Sequence, residues 1–231
     1  TGGLQNPEAS GRVSVPLQPF EVLNLGGRGV SPVADLTGSL ITADKPVSVF
    51  GGHTCAFVPF SSPACDHLES QLFPIETWGQ RFIASPLKLR RDENDPPTRT
   101  REGTYWKFVA YQDDTTIETG IDIGLMNVLP PADEGVQPCT EFSSEPASGA
   151  FTLDAGQSCE FGTTELFVAA ADKPIMLGAF LSGQNSVRED AEFGDRAGDP
   201  AFFLVPPEEQ YRTSYSFLTP ATYFQSFVTV L

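Results

Sequence analysis

The sequence predicts an all-β protein made of two related β-sandwich-like units, and three observations carry that prediction. Turn-formers and aromatics are abundant in the 231 residues (21 Gly, 20 Pro, 18 Phe), while 2 Met and 14 Lys+Arg leave little material for helices. Apolar and β-branched residues gather in short runs punctuated by Gly, Pro, Asn and Asp, the pattern of strands and turns. The chain also repeats itself. Ile41-Thr42-Ala43-Asp44-Lys45-Pro46-Val47-Ser48-Val49-Phe50 returns as Ala169-Ala170-Ala171-Asp172-Lys173-Pro174-Ile175-Met176-Leu177-Gly178. Phe20-Glu21 ahead of the first answers Glu160-Phe161 ahead of the second, and Phe73-Pro74-Ile75-Glu76 behind answers Val205-Pro206-Pro207-Glu208. The offset is 128 from Ile41 to Ala169 and 132 from Phe73 to Val205, the drift that loop insertions produce in a duplicated unit. A recurrent turn sequence is the alternative, because Asp-Lys-Pro is short and turn-friendly. Duplication divides the chain into 1–128 and 129–231, as two stacked or intertwined sandwiches.

Taken in order, residues 1–12 are rich in Gly, Asn and Ser and read as a loose end. Arg12 to Leu25 alternates apolar residues with Pro16 and Pro19, edge-strand behaviour, since proline cannot donate to a ladder. Gly26-Gly27-Arg28-Gly29 is a turn, Asp35 to Ile41 a strand, Ala43 to Pro46 a turn, and Val47 to Phe50 the strand returning from it. Asp66 with Glu69 three residues on makes a capping-box pattern, which predicts a short helix over 67–72, stopped by Pro74. Trp78 to Pro86 is strand-like, and 87–101 is a charged, proline-containing loop. Tyr105-Trp106-Lys107-Phe108-Val109-Ala110-Tyr111 is the most β-prone run, turned by Gln112-Asp113-Asp114 into Thr115–Thr119 as a hairpin. Residues 127–150 are proline- and acid-rich and predict an exposed connection pinned by Cys139.

Both histidines and half the cysteines fall within residues 51–67, as His53-x-Cys55 and Cys65-x-His67. In an antiparallel pair that sets Cys55 against Cys65, His53 faces His67 on the same side of the sheet. Two arrangements follow: a Cys55–Cys65 disulfide beside a histidine pair, or one zinc ion held by His53, Cys55, Cys65 and His67. A third keeps the disulfide and lets His53, His67 and Asp66 hold a metal weakly. Four cysteines at 55, 65, 139 and 159, without a C-x-x-C pair, in an acidic and Lys-poor chain favour two local disulfides, Cys55–Cys65 and Cys139–Cys159, and an oxidising compartment.

The net charge of -16 argues against nucleic acid and against anionic membrane surfaces. No apolar run approaches the ~20 residues of a membrane span. The chain begins on Thr1 without a signal peptide and ends within the strand-like Val228-Thr229-Val230-Leu231, so it reads as part of a longer polypeptide. No Gly-x-Ser-x-Gly elbow, phosphate-cradling loop or His-Glu-x-x-His is present, and both histidines sit against cysteines, so the expectation is no enzyme and no cofactor. Two ion sites stay open beside that: zinc at the histidines, and Ca²⁺ on Asp190, Glu192, Asp195 and Asp199, spaced among glycines but not as an EF-hand. A solvated acidic loop is the alternative. Trp78, Trp106, Tyr105, Tyr111, Tyr211, Tyr215 and Tyr223 would either line a sugar platform or fill the space between sheets.

Asp35-Leu36-Thr37-Gly38, Ala43 to Phe50, Gly52-His53-x-Cys55, Cys65-Asp66-His67-Leu68 with Gln71-Leu72, and Thr77-Trp78-Gly79 form an ordered series. Asp114-Thr115-Thr116-Ile117, Ala171 to Pro174, Gly198-Asp199-Pro200 and Val205-Pro206-Pro207-Glu208 with Gln210 extend it. This series resembles the N-terminal domain family of IgG-Fc-binding protein across roughly residues 35–231. The resemblance implies an extracellular binding domain, a bacterial-type member or a fragment of one. The family occurs in a mammalian mucus protein that binds immunoglobulin Fc and in large bacterial surface or secreted proteins. No ligand-contacting residue carries over by motif. The expected function is therefore a non-catalytic binding or adhesion module for a protein or glycoprotein partner, outside the cell or on its surface. A carbohydrate-binding module of a larger secreted protein comes second and a carboxylate-based glycoside hydrolase third.

Overall fold

The computed structural model describes residues 11–27, 34–62, 64–88, 90, 102–124, 128–129, 131, 135–183, 198–219, 221 and 226–231. Within them the regular structure is β-strand, interrupted only by single 3₁₀ turns, as the composition predicts. β1 (Phe50–Ala56) and β2 (Asp66–Gln71) form a two-stranded sheet. The other eight are β3 (Gly79–Ala84), β4 (Thr104–Ala110), β5 (Thr115–Glu118), β6 (Val128–Leu129), β7 (Ala150–Leu153), β8 (Ser158–Thr163), β9 (Phe167–Leu181) and β10 (Ala201–Leu204), all in one antiparallel sheet.

The spine of that sheet is β9, fifteen residues long. Ala170 pairs with Arg81 of β3 on one side and Glu118 of β5 on the other; Leu181 pairs with Ala201 of β10 and Thr104 of β4. β4 and β5 thus lie end to end along one edge of β9, flanked in turn by β8 and β7. This corrects the expected hairpin: β4 and β5 both run antiparallel to β9, and residues 111–114 loop outward between them. The cause is the bulge at Asp172-Lys173-Pro174, where Pro174 has no N–H to give. The Asp172 carboxylate accepts the Thr116 amide at 2.9 Å, and Lys173 Nζ donates to the carbonyls of Asp113 and Asp114 at 2.6 and 2.8 Å. The other Asp-Lys-Pro, at 44–46, is exposed and lies outside any strand. The 128/129 division falls between sheet neighbours, since β4 pairs with both β8 and β9.

Residues 67–72 are not a helix; 67–71 belong to β2 and Leu72 follows it. Tying Cys65 to Cys55 holds this segment alongside β1, so its backbone groups pair across the ladder, and Leu68 is buried between exposed His67 and Glu69. The Asp66 carboxylate still accepts a local amide, that of His67 at 2.7 Å, but tertiary pairing overrides the capping box. Asp35–Ile41 and Val47–Val49 carry no strand assignment, nor does 12–25. A strand requires a partner to take its N–H and C=O groups, and here the ladder next to Phe50 gives these segments only the bond from the Leu72 amide to the Val49 carbonyl at 2.9 Å.

The main core lies on one face of the large sheet. Trp106, Phe108 and Ala110 of β4 alternate toward Phe82, Ile117, Phe151, Leu153, Phe161, Phe167, Ile175 and Leu177. Phe108, fully buried, stacks on Phe161 at 5.6 Å and meets Phe151 edge-on at 5.2 Å, the offset and T-shaped geometries aromatic quadrupoles prefer. A smaller cluster on the other side, Ala56, Val58, Leu68 and Tyr105 with Phe180 and Phe202, ties the β1–β2 hairpin to the sheet.

Candidate functional site

The hairpin of β1 and β2 is closed by Cys55–Cys65, with Cα atoms 5.0 Å apart. The ladder is one residue away from the register expected from the cysteines: His53 pairs with Leu68 and Gly52 with Glu69, and a bulge between His53 and Ala56 lets Cys55 still reach Cys65. A slip of one residue sends a side chain to the opposite face, so His53 and His67 do not face each other. Gly52 fits only because it lacks a Cβ, which would meet the Leu68 carbonyl at 2.1 Å. His53 Nδ1 accepts the Cys55 amide at 3.1 Å, which leaves the ring proton on Nε2. His67 Nε2 lies 3.3 Å from Glu69 Oε2 at the surface. With both sulphurs in a disulfide, the four-ligand zinc arrangement is not formed. Among the described residues no three His, Cys, Asp or Glu side chains gather as a metal site. The hairpin instead presents His53, Thr54, Cys55, Phe60 and His67 to solvent on a covalently closed loop, with Phe57 meeting Phe60 edge-on at 6.3 Å.

Two polar clusters went unread in the sequence. On the face of β4 opposite the main core, Lys107 Nζ donates to Asp35 Oδ2 at 2.7 Å, and Lys107 stands across the ladder from Glu160, which is 1% exposed. Burial alone would raise the Asp35 pKa, but the Lys107 charge and hydrogen bonds from Lys107 and Thr37 outweigh it and hold the carboxyl below its usual value. Burial, with the Glu160 charge added, pushes the Tyr105 phenol up to about 12. Tyr105 is thus protonated at neutral pH and Asp35 is a carboxylate held by an ammonium. A signal existed: Lys107 is a lone charge in the middle of a run otherwise fit for the core.

In the second cluster, Arg90 grips Glu102 with Nε at 2.6 Å from Oε1 and its amide at 3.1 Å from Oε2. The same guanidinium donates to the carbonyls of Ser182 and, at 3.1 Å, Asp199. It therefore links Ser182, just after β9, with Asp199, just before β10. Of the residues expected to bind calcium, Asp190, Glu192 and Asp195 lie outside the described residues, and Asp199 is exposed.

The aromatics divide. Trp106 and Tyr105 are core residues, 1% and 3% exposed. Trp78 and Tyr111 meet at the surface, ring centroids 6.3 Å apart but 75° from coplanar, so they make no flat platform for a sugar ring. Tyr211 is half-buried; Tyr215 is exposed, and Tyr223 lies outside the described residues. The second disulfide, Cys139–Cys159, has Cα atoms 4.8 Å apart and both residues inside the main core. It fastens the 3₁₀ turn Cys139–Phe142 to β8, where the Glu160 amide also bonds the Gln137 carbonyl at 3.0 Å. Both expected pairings are borne out, and two disulfides fit an oxidising compartment. No helix among the described residues is long and apolar enough to cross a membrane.

Comparison with known proteins bears on this geometry. The family described as IgGFc binding protein matches residues 1–129 and 135–231. A human protein named IgGFc-binding protein is 37% identical over 73 residues, which cover 32% of this chain and 1% of the human one, so the chain spans only a small fraction of that relative. No solved structure matches.

Proposed function

Because the chain belongs to the IgGFc binding protein family, we propose that it is a non-catalytic binding module, secreted or displayed at a cell surface. It holds a protein or glycoprotein partner, with immunoglobulin Fc the first to test. The observation that carries this reading is the family match across both halves of the chain, 1–129 and 135–231. The name of the human relative supplies Fc as the ligand; nothing in that relative supports a bacterial type. The two disulfides support an extracellular setting.

The clasped hairpin is the surface we assign to the partner. A recognition loop gains affinity when its conformation is fixed before binding, and Cys55–Cys65 with the buried Leu68 anchor fixes this one. Phe60, 51% exposed, is the apolar contact such a surface needs at its centre. Calorimetric titration of the intact chain with purified Fc tests the reading: saturable binding that Phe60→Ala weakens by about tenfold or more is expected. A folded chain that shows no heat with Fc, or a Phe60→Ala variant that binds as the parent does, overturns the ligand or the surface respectively.

A further inference from the structure

Two ladders in this molecule share one plan. In β1–β2 the pairs are Phe50↔Gln71, Gly51↔Ser70, Gly52↔Glu69 and His53↔Leu68. In β9–β10 they are Gly178↔Leu204, Ala179↔Phe203, Phe180↔Phe202 and Leu181↔Ala201. A shift of 128 on the first strand (50 to 178) and 133 on the second (71 to 204) converts these four pairs of the first ladder into the four of the second; Ala56↔Asp66, beyond the bulge of the first, has no counterpart among the described residues. The next backbone bond converts as well: Leu72 N to Val49 O at 2.9 Å becomes Val205 N to Leu177 O at 2.9 Å. So does the following 3₁₀ turn, whose bonds Thr77 N to Pro74 O and Trp78 N to Ile75 O become Gln210 N to Pro207 O and Tyr211 N to Glu208 O. A chance recurrence of Asp-Lys-Pro would not bring register, bond and turn along at fixed offsets.

Carried outward, the same offsets land on unpaired chain. Residues 39–47 correspond to 167–175, the first half of β9, and 212–217 correspond to β3. In the formed sheet those two are partners, Arg81↔Ala170, Phe82↔Ala169, Ile83↔Val168 and Ala84↔Phe167, with Gly79↔Ile175 beyond the bulge. Their counterparts lie outside strands and expose Leu40 (58%), Ile41 (54%), Val47 (55%), Tyr215 (71%) and Phe217 (65%). The chain thus carries one β9-type strand without its β3 partner and one β3-type strand without its β9 partner. Bare β-prone segments of this kind are templates for pairing with another chain. Among the described residues no backbone hydrogen bond joins the two segments within one chain.

We propose that residues 212–217 of one copy pair antiparallel with residues 39–47 of a second copy, and reciprocally, in a twofold dimer. The formed sheet dictates the register: Ser214↔Thr42, Tyr215↔Ile41, Ser216↔Leu40 and Phe217↔Ser39, with Arg212 opposite Val47. Asp44-Lys45-Pro46 falls at the bulge, as Asp172-Lys173-Pro174 does in β9, where a proline costs no ladder bond. Reciprocal exchange makes the interface isologous, so assembly closes at two chains instead of running on as a fibre. The ladder stands apart from the Fc reading, because its readout is mass and crosslinking.

Light scattering on the full chain at tens of micromolar is expected to give twice the 24.9 kDa chain mass, and deletion of residues 212–231 the single mass. Oxidation of the Ile41→Cys/Tyr215→Cys variant is expected to yield a covalent dimer joined at 41 and 215. Ile41→Cys/Ser216→Cys, displaced by one residue and so on the opposite face, is expected not to crosslink. A monomer at that concentration, a 41–215 bond inside one chain, or equal crosslinking of the two pairs overturns the proposal.

Discussion

The two disulfides close loops of comparable size, with sequence separations of 10 and 20, yet they occupy opposite environments. Cys139 and Cys159 are 1% and 0% exposed and belong to the main aromatic core, whereas Cys55 stands at the surface of a two-stranded hairpin. Loop-closure entropy assigns about 3 kcal/mol to each. What separates them is where the loss is felt. The inner bridge is continuous with the packing that makes the sheet fold as a unit, and the outer one holds a hairpin that touches the rest through a few side chains such as Leu68 and Ala56. Opening the first is a global event, opening the second a local one.

The largest effect is expected from Cys139→Ala with Cys159→Ala. The loop entropy and the loss of two buried sulphurs together destabilise the chain by about 5 kcal/mol, read as a lowered urea midpoint. Cys55→Ala with Cys65→Ala is expected to move that midpoint by less than about 1 kcal/mol, because the hairpin opens without the sheet. Hydrogen exchange sharpens the contrast: amides of Leu68 and Ser70 should exchange faster in the outer variant, while those of Trp106 and Phe108 should not. Equal midpoint shifts in the two variants would break the comparison.

A smaller effect concerns the cluster beneath residues 35–38. The Asp35 carboxyl titrates lower in the folded chain than in the unfolded one, so its contribution is present above the unfolded carboxylate value of about 3.9 and is lost as pH falls through the folded value. Asp35→Asn is therefore expected to cost about 1 kcal/mol at neutral pH and nothing in strong acid, where parent and variant converge. Parallel stability curves across the acid range would show that the Lys107–Asp35 contact contributes no stability.

How much of this was legible in the sequence follows the same division between local and distant causes. β3, β4 and β5 announce themselves through β-branched and aromatic runs, and the two disulfides through local cysteine spacing. β2 does not, because Asp66 and Glu69 satisfy a helix-start pattern and only pairing with β1 overrules it. The end-to-end placement of β4 and β5 depends on a bulge some sixty residues later, at Asp172–Pro174, which no local turn signal at 111–114 reports. The Lys107–Asp35 contact joins positions 72 apart, and Arg90 reaches Ser182 across 92. In the hairpin the residue types were read correctly and their faces were not, since one bulge at Cys55 moves His53 out of line with His67.

In the proposed function the outer clasp shapes the recognition surface, while the inner one belongs to the core of the sheet. The direct test is titration of Fc into the intact chain and into the Cys55→Ala/Cys65→Ala variant, after their unfolding midpoints have been matched. The expected result is an affinity lower by about tenfold or more in a variant whose sheet is as stable as the parent's. Unchanged binding, or a variant whose sheet has unfolded, would contradict it.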